Sequence, residues 1–110
     1  MAVLSTTVIR VKPGRWNDFL KLMRTTNGVL TAAGAKSFRL VSGIAAGPAS
    51  GTVVFVWEAD DWEDYGHVSQ RFFDDPAGIE LLMRSTTPEG PTQSWQNSVY
   101  VDIPIEPSSL

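Results

Sequence analysis

The sequence predicts an α+β domain of order βαββαβ, an antiparallel four-stranded sheet with both helices on one face. Three observations carry this. Segments of strand character and of helical spacing follow one another in that order. One strand, Thr52–Trp57, runs Val53, Val54, Phe55, Val56, Trp57 without a polar break, which suits a strand covered on both faces. The third is size: 110 residues can hardly cover both faces of their own sheet with helices. The far face of the sheet therefore needs a second cover.

The totals narrow the class. A single domain at residues 1–103, followed by a C-terminal arm at 104–110, is expected. No apolar run approaches the length of a membrane span, so no membrane partner is expected. No early stretch joins a basic region to an apolar run and a cleavage site, which makes a cytoplasmic setting the default expectation. The absence of cysteine removes disulfides, thiolate nucleophiles and thiolate metal sites. Four tryptophans are many for this length and should line a core, an interface or a pocket. The net charge of −3 is unevenly spread: residues 1–40 carry seven Lys or Arg against Asp18, and residues 41–110 carry Arg71 and Arg84 against eleven acids. Two solvated helix faces of opposite sign account for this; pairing between elements or subunits is the sharper reading. The overall acidity argues against nucleic acid.

The first strand, Ala2–Val11, alternates loosely. Val3, Ile9 and Val11 share one face and Leu4 and Val8 the other, so neither face is fully polar. Lys12-Pro13-Gly14 ends it, because proline cannot donate to a ladder. Arg15–Ala33 is the first helix, with Trp16, Phe19, Leu20, Met23, Asn27 and Leu30 at steps of three and four. Asn27 on that stripe is either a helix-end amide bonded to backbone or a polar group lining a pocket. Gly34 is the expected stop. Ser37–Ala45 is the second strand, with Phe38, Leu40 and Ile44 on one face and Arg39, Val41 and Gly43 on the other. The Gly/Pro/Ser-rich stretch Ala46–Gly51 should turn it into a hairpin with Thr52–Trp57.

Ahead of the second helix, Trp62–Phe73, either Asp60 with Glu63 or Asp61 with Asp64 has the spacing of a capping box. Acids there also suit the positive end of the helix dipole. The carboxylates between Asp60 and Asp75 follow no calcium-loop spacing and caps explain most of them, so no metal is expected. On a helical wheel Trp62, Tyr65, Gly66, Ser69, Phe72 and Phe73 form one face; Glu63, Asp64, His67, Gln70 and Arg71 form the other. His67, the only histidine, is therefore expected at solvent. Gly66 on the inner face costs about 1 kcal/mol of helix propensity, and the expected return is close approach to the sheet or room for a ligand. Asp75 should cap, and Pro76 open, a short third helix with Ile79, Leu82 and Met83 on its apolar side and Glu80 within reach of Arg84. Ser85–Ser94 reads as a loop, and Trp95–Ile103 as the last strand, with Val99, Val101 and Ile103 on one face and Tyr100 on the other.

With the first and third strands central, the face away from the helices carries apolar residues on every strand. A monomer would expose them as one patch, which soluble monomers avoid. Packing two sheets face to face would bury it. That arrangement resembles the dimeric α/β-barrel superfamily, whose protomer is ferredoxin-like. The resemblance is strongest over Thr52–Ile103, about half the chain, and the N-terminal half matches in pattern only. Val56-Trp57-Glu58 before a capped helix is similar to the third strand and second helix of small antibiotic-biosynthesis-monooxygenase-like proteins. Tyr65-Gly66, followed by Phe73-Asp74-Asp75-Pro76 and a short apolar helix, is similar to the NIPSNAP-type branch. The resemblance implies a homodimer joined through the sheet faces.

Members of that superfamily include cofactor-free monooxygenases, haem-degrading enzymes, isomerases and decarboxylases. In several, a helix histidine works in the cleft between helices and sheet. That position falls on Gly66 here, and His67, one residue later, is rotated by about 100°. The resemblance thus brings neither histidine chemistry nor haem ligation to this chain, and no cofactor is expected. The matching motifs are structural and speak for fold rather than for a reaction.

Two other folds share the element order. An RNA-recognition domain would need exposed aromatics on the first and third strands over a basic sheet, and the first strand has none. An acylphosphatase would need a glycine-rich anion loop with arginine after the first strand, which Lys12-Pro13-Gly14-Arg15 does not supply.

Two functional classes remain. The first is a binder of a small apolar or aromatic molecule in the cleft beneath the helices, walled by Trp16, Asn27, Trp57, Trp62, Tyr65 and Ser69. A cofactor-independent, monooxygenase-like reaction would need only a dry pocket there and a donor to hold an electron-rich substrate. No catalytic residue is singled out. The second class is a non-enzymatic assembly or stress-related module whose cleft is filled by its own side chains. A hollow cleft favours the first and a packed one the second.

Overall fold

A computed structural model of the chain describes residues 2–44, 47, 51–105 and 107, the side chain of residue 86 excepted. The elements run β1 Val3–Val11, α1 Trp16–Ala32, β2 Ser37–Ser42, β3 Val53–Ala59, α2 Trp62–Asp74, α3 Pro76–Thr86 and β4 Thr92–Val101. All strand pairings are antiparallel, and the strand order β2-β3-β1-β4 puts the first and third strands at the centre as expected. This is the α+β, ferredoxin-like arrangement.

Register decides which residues meet the helices. Val3, Ser5, Thr7 and Ile9 oppose Ala59, Trp57, Phe55 and Val53 on β3, and Val101, Val99, Asn97 and Trp95 on β4. The β1 set is buried, as are Val53, Trp57 and Ala59. The other row, with Leu4, Thr6 and Val8 beside Val54, Val56, Glu58 and Tyr100, is the face away from the helices. Between Arg10 and Val11 the β1–β4 register shifts, so Val11 pairs with Thr92 while Arg10 pairs with Ser94. A bulge of this kind re-aims side chains. Here Thr92 is buried although Ser94 and Trp95 follow it closely. This pairing also makes strand of Thr92–Ser94, which the polar sequence placed in a loop. β2 ends at Ser42, short of the expected Ala45, and Ile44 is almost fully exposed. The predicted turn at 46–51 and the arm at 104–110 lie mostly outside the described residues.

The helix ends follow from local chemistry. α1 closes on Gly34, whose φ is +103°, with Gly34 N–H donating to the Thr31 carbonyl at 3.1 Å and Ala35 N–H to the Leu30 carbonyl at 2.9 Å. These two bonds make a Schellman cap, and the positive φ is the reason for glycine there. Of the two possible caps for α2, the structure uses the second. Asp61 Oδ1 accepts from Asp64 N–H at 2.8 Å, and Asp64 Oδ2 accepts from Asp60 N–H at 2.9 Å. Asp75 caps α3 through Ala77 N–H at 2.9 Å, one residue ahead of Pro76. Glu80 and Arg84 form the expected ion pair on its surface.

The core divides into two clusters. One gathers Ile9, Phe19, Leu22, Met23, Val53 and Leu81; the other Leu30, Ala33, Trp57, Ala59 and Val68. Phe38, Phe55 and Phe72 pack against both. The inner face of α1 is Phe19, Leu22, Met23, Thr26 and Leu30 rather than the predicted stripe through Leu20 and Asn27. The inner face is turned by about 50° from the expected stripe, with Leu22 buried and Leu20 only half-buried. Thr26 can be buried because its hydroxyl donates to the Leu22 carbonyl at 2.8 Å. On α2 the fully buried residue is Val68, which the aromatic pattern had overshadowed.

Candidate functional site

Between the two clusters lies a cavity of about 180 Å³. Its floor is the helix-facing row of the sheet: Ser5, Thr7, Ile9, Phe55, Trp57 and, from β4, Thr92, Trp95 and Asn97. Its roof is built from Met23, Thr26 and Leu30 of α1, Tyr65, Ser69, Phe72 and Phe73 of α2, and Leu81, Leu82 and Ser85 of α3. Phe73, Leu82 and Trp95 are partly exposed and form its rim. None of the lining residues carries a charge.

The aromatic wall is ordered by stacking. Trp57 and Tyr65 lie parallel with ring centroids 5.1 Å apart, and Phe55 stacks on Phe38 at 5.6 Å. Such pairs hold rings in fixed orientation and add to their burial. The polar floor is equally specific. Thr7 Oγ1 donates to Asn97 Oδ1 at 3.1 Å, and Ser5 Oγ approaches the same oxygen at 3.4 Å. Ser5 and Thr7 are buried, and among the described residues no buried side-chain polar atom lacks a partner.

Of the six wall residues expected from sequence, the cavity brings together Trp57, Tyr65 and Ser69. Trp16, Asn27 and Trp62 lie outside its lining. Trp16 is the first residue of α1, 48% exposed, and packs its ring on Phe19 at 5.5 Å from the solvent side. Asn27 is one residue beyond the inner face and accepts from Thr31 Oγ1 at 3.1 Å on the helix surface. Trp62 opens α2, is 52% exposed, and meets Tyr65 edge-on at 5.9 Å. His67 is exposed, as the wheel predicts.

Gly66 is a correction. It is exposed, it does not line the cavity, and a Cβ added there would meet nothing within 4 Å. The close approach is at Gly78 instead, where a Cβ would stand 1.9 Å from the Phe72 carbonyl oxygen. The polar floor of Ser5, Thr7 and Asn97 is what the sequence reading missed. Its signal was present: Ser5 and Thr7 sit on the same alternation as Val3 and Ile9, so two hydroxyls interrupt a core-facing row.

Among the described residues, no helix is long and apolar enough to cross a membrane, and no group of three His, Asp or Glu side chains is placed to hold a metal ion. No family profile and no curated protein matches the sequence. Solved structures do match in shape. An uncharacterised NIPSNAP domain protein from Burkholderia xenovorans superposes with a TM-score of 0.70 at 20% identity, over 96% of this chain and 99% of that one. A NIPSNAP family protein from Agrobacterium tumefaciens gives 0.63 at 14%, over 96% and 89%. SnoaB, a cofactor-independent oxygenase from Streptomyces nogalater, gives 0.68 at 9%, over 97% and 98%. With its strand order and near-complete coverage of all three, the chain has the ferredoxin-like fold common to NIPSNAP proteins and this oxygenase of the antibiotic-biosynthesis-monooxygenase type.

Proposed function

We propose that the chain binds a small apolar or aromatic molecule in the cleft between helices and sheet, and that it does so as a homodimer whose sheets pack face to face. The observation that carries the binding reading is the hollow, uncharged, aromatic-walled cavity. A few fixed polar groups in an apolar cleft are the usual composition of a small-molecule site. A non-enzymatic assembly or stress-related module with a filled cleft is the alternative, and a hollow cleft weighs against it. The likeness to a cofactor-independent oxygenase supports one use of such a site: holding an electron-rich ring away from bulk water without a bound cofactor. The dimer reading is supported by the far face of the sheet, where Leu4, Val8, Val41, Val54, Val56 and Tyr100 share one side with Arg39 and Glu58. A largely apolar face that carries Arg10 and Arg39 beside Glu58 is suited to pairing with a copy of itself.

The binding reading is tested by titrating single-ring aromatics while following tryptophan fluorescence, since Trp57 and Trp95 line the cavity. Saturable quenching by at least one ring is expected; no response across a panel refutes it. Oxygen uptake in the presence of a bound phenol then tests the oxygenase use. Light scattering at micromolar concentration should give twice the 12.0 kDa chain mass, and a clean monomer would remove the dimer.

A further inference from the structure

Five hydroxyl donors of the cavity wall are committed. Thr26 donates to the Leu22 carbonyl at 2.8 Å, Ser85 to the Leu81 carbonyl at 2.8 Å, and Thr92 to the Ser85 carbonyl at 2.6 Å. Ser5 and Thr7 direct their hydroxyls at Asn97 Oδ1. A hydroxyl has one hydrogen, so these five groups can offer a ligand lone pairs only. Asn97 is in the opposite condition. Two hydroxyls occupy its carbonyl oxygen, and what remains is its amide nitrogen, which carries two N–H donors and no acceptor. The hydroxyls of Tyr65 and Ser69 and the indole N–H groups of Trp57 and Trp95 are further donors of the lining; Asn97, an exposed residue of β4, differs from them in that two hydrogen bonds hold its amide in place.

Charge and size limit the ligand further. With no ionised side chain in the lining, a charged ligand would lose its hydration without finding a counter-ion, which is costly. The cavity measures about 180 Å³. In another protein an engineered apolar cavity of about 150 Å³ takes up benzene, so one ring with a short substituent is the right scale. Fused polycyclic molecules exceed it.

We propose that Asn97, held by Ser5 and Thr7, donates to the carbonyl oxygen of a neutral, single-ring aromatic ligand in this cavity. This rests on the ligand-binding reading above and names the class of ligand for it. Asn97 is the contact residue. Ser5 and Thr7 are positioning residues, which fix the amide so that its nitrogen, not its oxygen, serves the ligand.

Acetophenone and ethylbenzene are matched probes, alike in ring and substituent length and different in the carbonyl oxygen. Each is titrated into the wild-type protein and into Asn97→Leu, Asn97→Asp and Thr7→Val, with tryptophan fluorescence as the readout. Taking the ratio of the two Kd values cancels differences in ring burial. One hydrogen bond is worth about a five- to tenfold change in that ratio. The preference for acetophenone should fall by that factor in Asn97→Leu and Asn97→Asp, and by less in Thr7→Val. Ethylbenzene should still bind all three saturably, which shows that the cavity is intact, and any shared change in ring affinity drops out of the ratio. Asn97→Asp is nearly isosteric and keeps an acceptor for Ser5 and Thr7, so it guards against misfolding of the leucine variant. An unchanged ratio in both Asn97 variants overturns the assignment of Asn97 while the cavity reading stands. Binding of ethylbenzene without any preference for acetophenone in the wild-type protein also overturns the Asn97 assignment, and failure of both probes to bind overturns the cavity reading and this one with it.

Discussion

The same substitution, glycine to alanine, should have opposite effects at two positions on neighbouring helices. At Gly66 of α2 an added Cβ meets open space. Alanine there gains only helix propensity and lowers the entropy of the unfolded chain, worth about 0.5–1 kcal/mol. At Gly78 of α3 the added Cβ stands 1.9 Å from the Phe72 carbonyl oxygen, 2.9 Å from its carbonyl carbon and 3.2 Å from Cδ1 of its ring. Ordinary contact begins near 3.4 Å, so the two helices must part by about 1.5 Å. The obstacle is backbone, which cannot swing aside as the end of a side chain would. Overpacking of this kind costs about 1–3 kcal/mol, more than the propensity gain can offset. We expect a net loss of about 2 kcal/mol at Gly78. For a domain of this size 1 kcal/mol moves Tm by about 4 °C, giving roughly −8 °C for Gly78→Ala and +2 to +4 °C for Gly66→Ala. Differential scanning fluorimetry of both variants beside wild type is sufficient. A Gly78→Ala protein melting within 2 °C of wild type, or above it, would refute the claimed contact between the helices.

Three further outcomes follow from the same geometry. Asp75→Ala removes the cap of α3 and should cost about 1 kcal/mol, seen as a shift of denaturation midpoint without change of m-value. His67→Ala should leave both melting temperature and aromatic-probe binding unchanged, since the side chain is exposed and off the cavity; loss of probe binding would mean that α2 is wrongly turned. Lys36 donates to Asp60 Oδ1 at 2.7 Å, and this hydrogen bond, with the attraction of the same carboxylate, raises the amine above its ordinary 10.5. A raised pKa stabilises the fold fully below the unfolded value and is lost only as pH climbs through the raised one, so Lys36 should add no pH dependence to stability between about pH 6 and about pH 9. Because the pair is exposed, Lys36→Ala should not measurably move Tm.

What could be read from sequence was what alternation and caps encode. The uninterrupted Val53–Trp57 run placed β3 at the sheet centre, and Asp61, Gly34 and Asp75 marked helix ends by side-chain chemistry that acts within a few residues. What could not be read depended on contacts distant in sequence. Leu20 and Leu22 are equally apolar, and only packing over the sheet decides that Leu22 faces inward. Gly66 and Gly78 are both helical glycines, but only Gly78 lies against a preceding helix. Trp62 and Phe73 drew attention by size, although a large ring at a helix end can lie on the surface while a single valine, Val68, fills the contact beneath. Thr92–Ser94 lacks apolar alternation and becomes strand because β1 offers it a ladder. Trp16 and Asn27 miss the cavity because α1 is turned by about 50° from the expected stripe, and Trp62 because it stands at the exposed start of α2.

Asp75 stands where α2 and α3 meet, and it serves both. Its N–H closes α2 on the Arg71 carbonyl at 3.1 Å, its side chain starts α3, and its carbonyl accepts from Gly78 and Ile79 N–H at 2.9 and 3.3 Å. No slack loop separates the two helices, so the roof of the cavity is one bent rod with its elbow at this residue. Ser85 lies ten positions beyond the elbow, about 15 Å away at the helical rise. A tilt of about 5° would therefore carry it by about 1.3 Å, a displacement comparable to a water radius. The elbow acts as a lever, turning a small angular change at the surface into a change of bore inside. Substitutions at Asp75 or Pro76, neither of which lines the cavity, should thus alter which ring sizes it accepts.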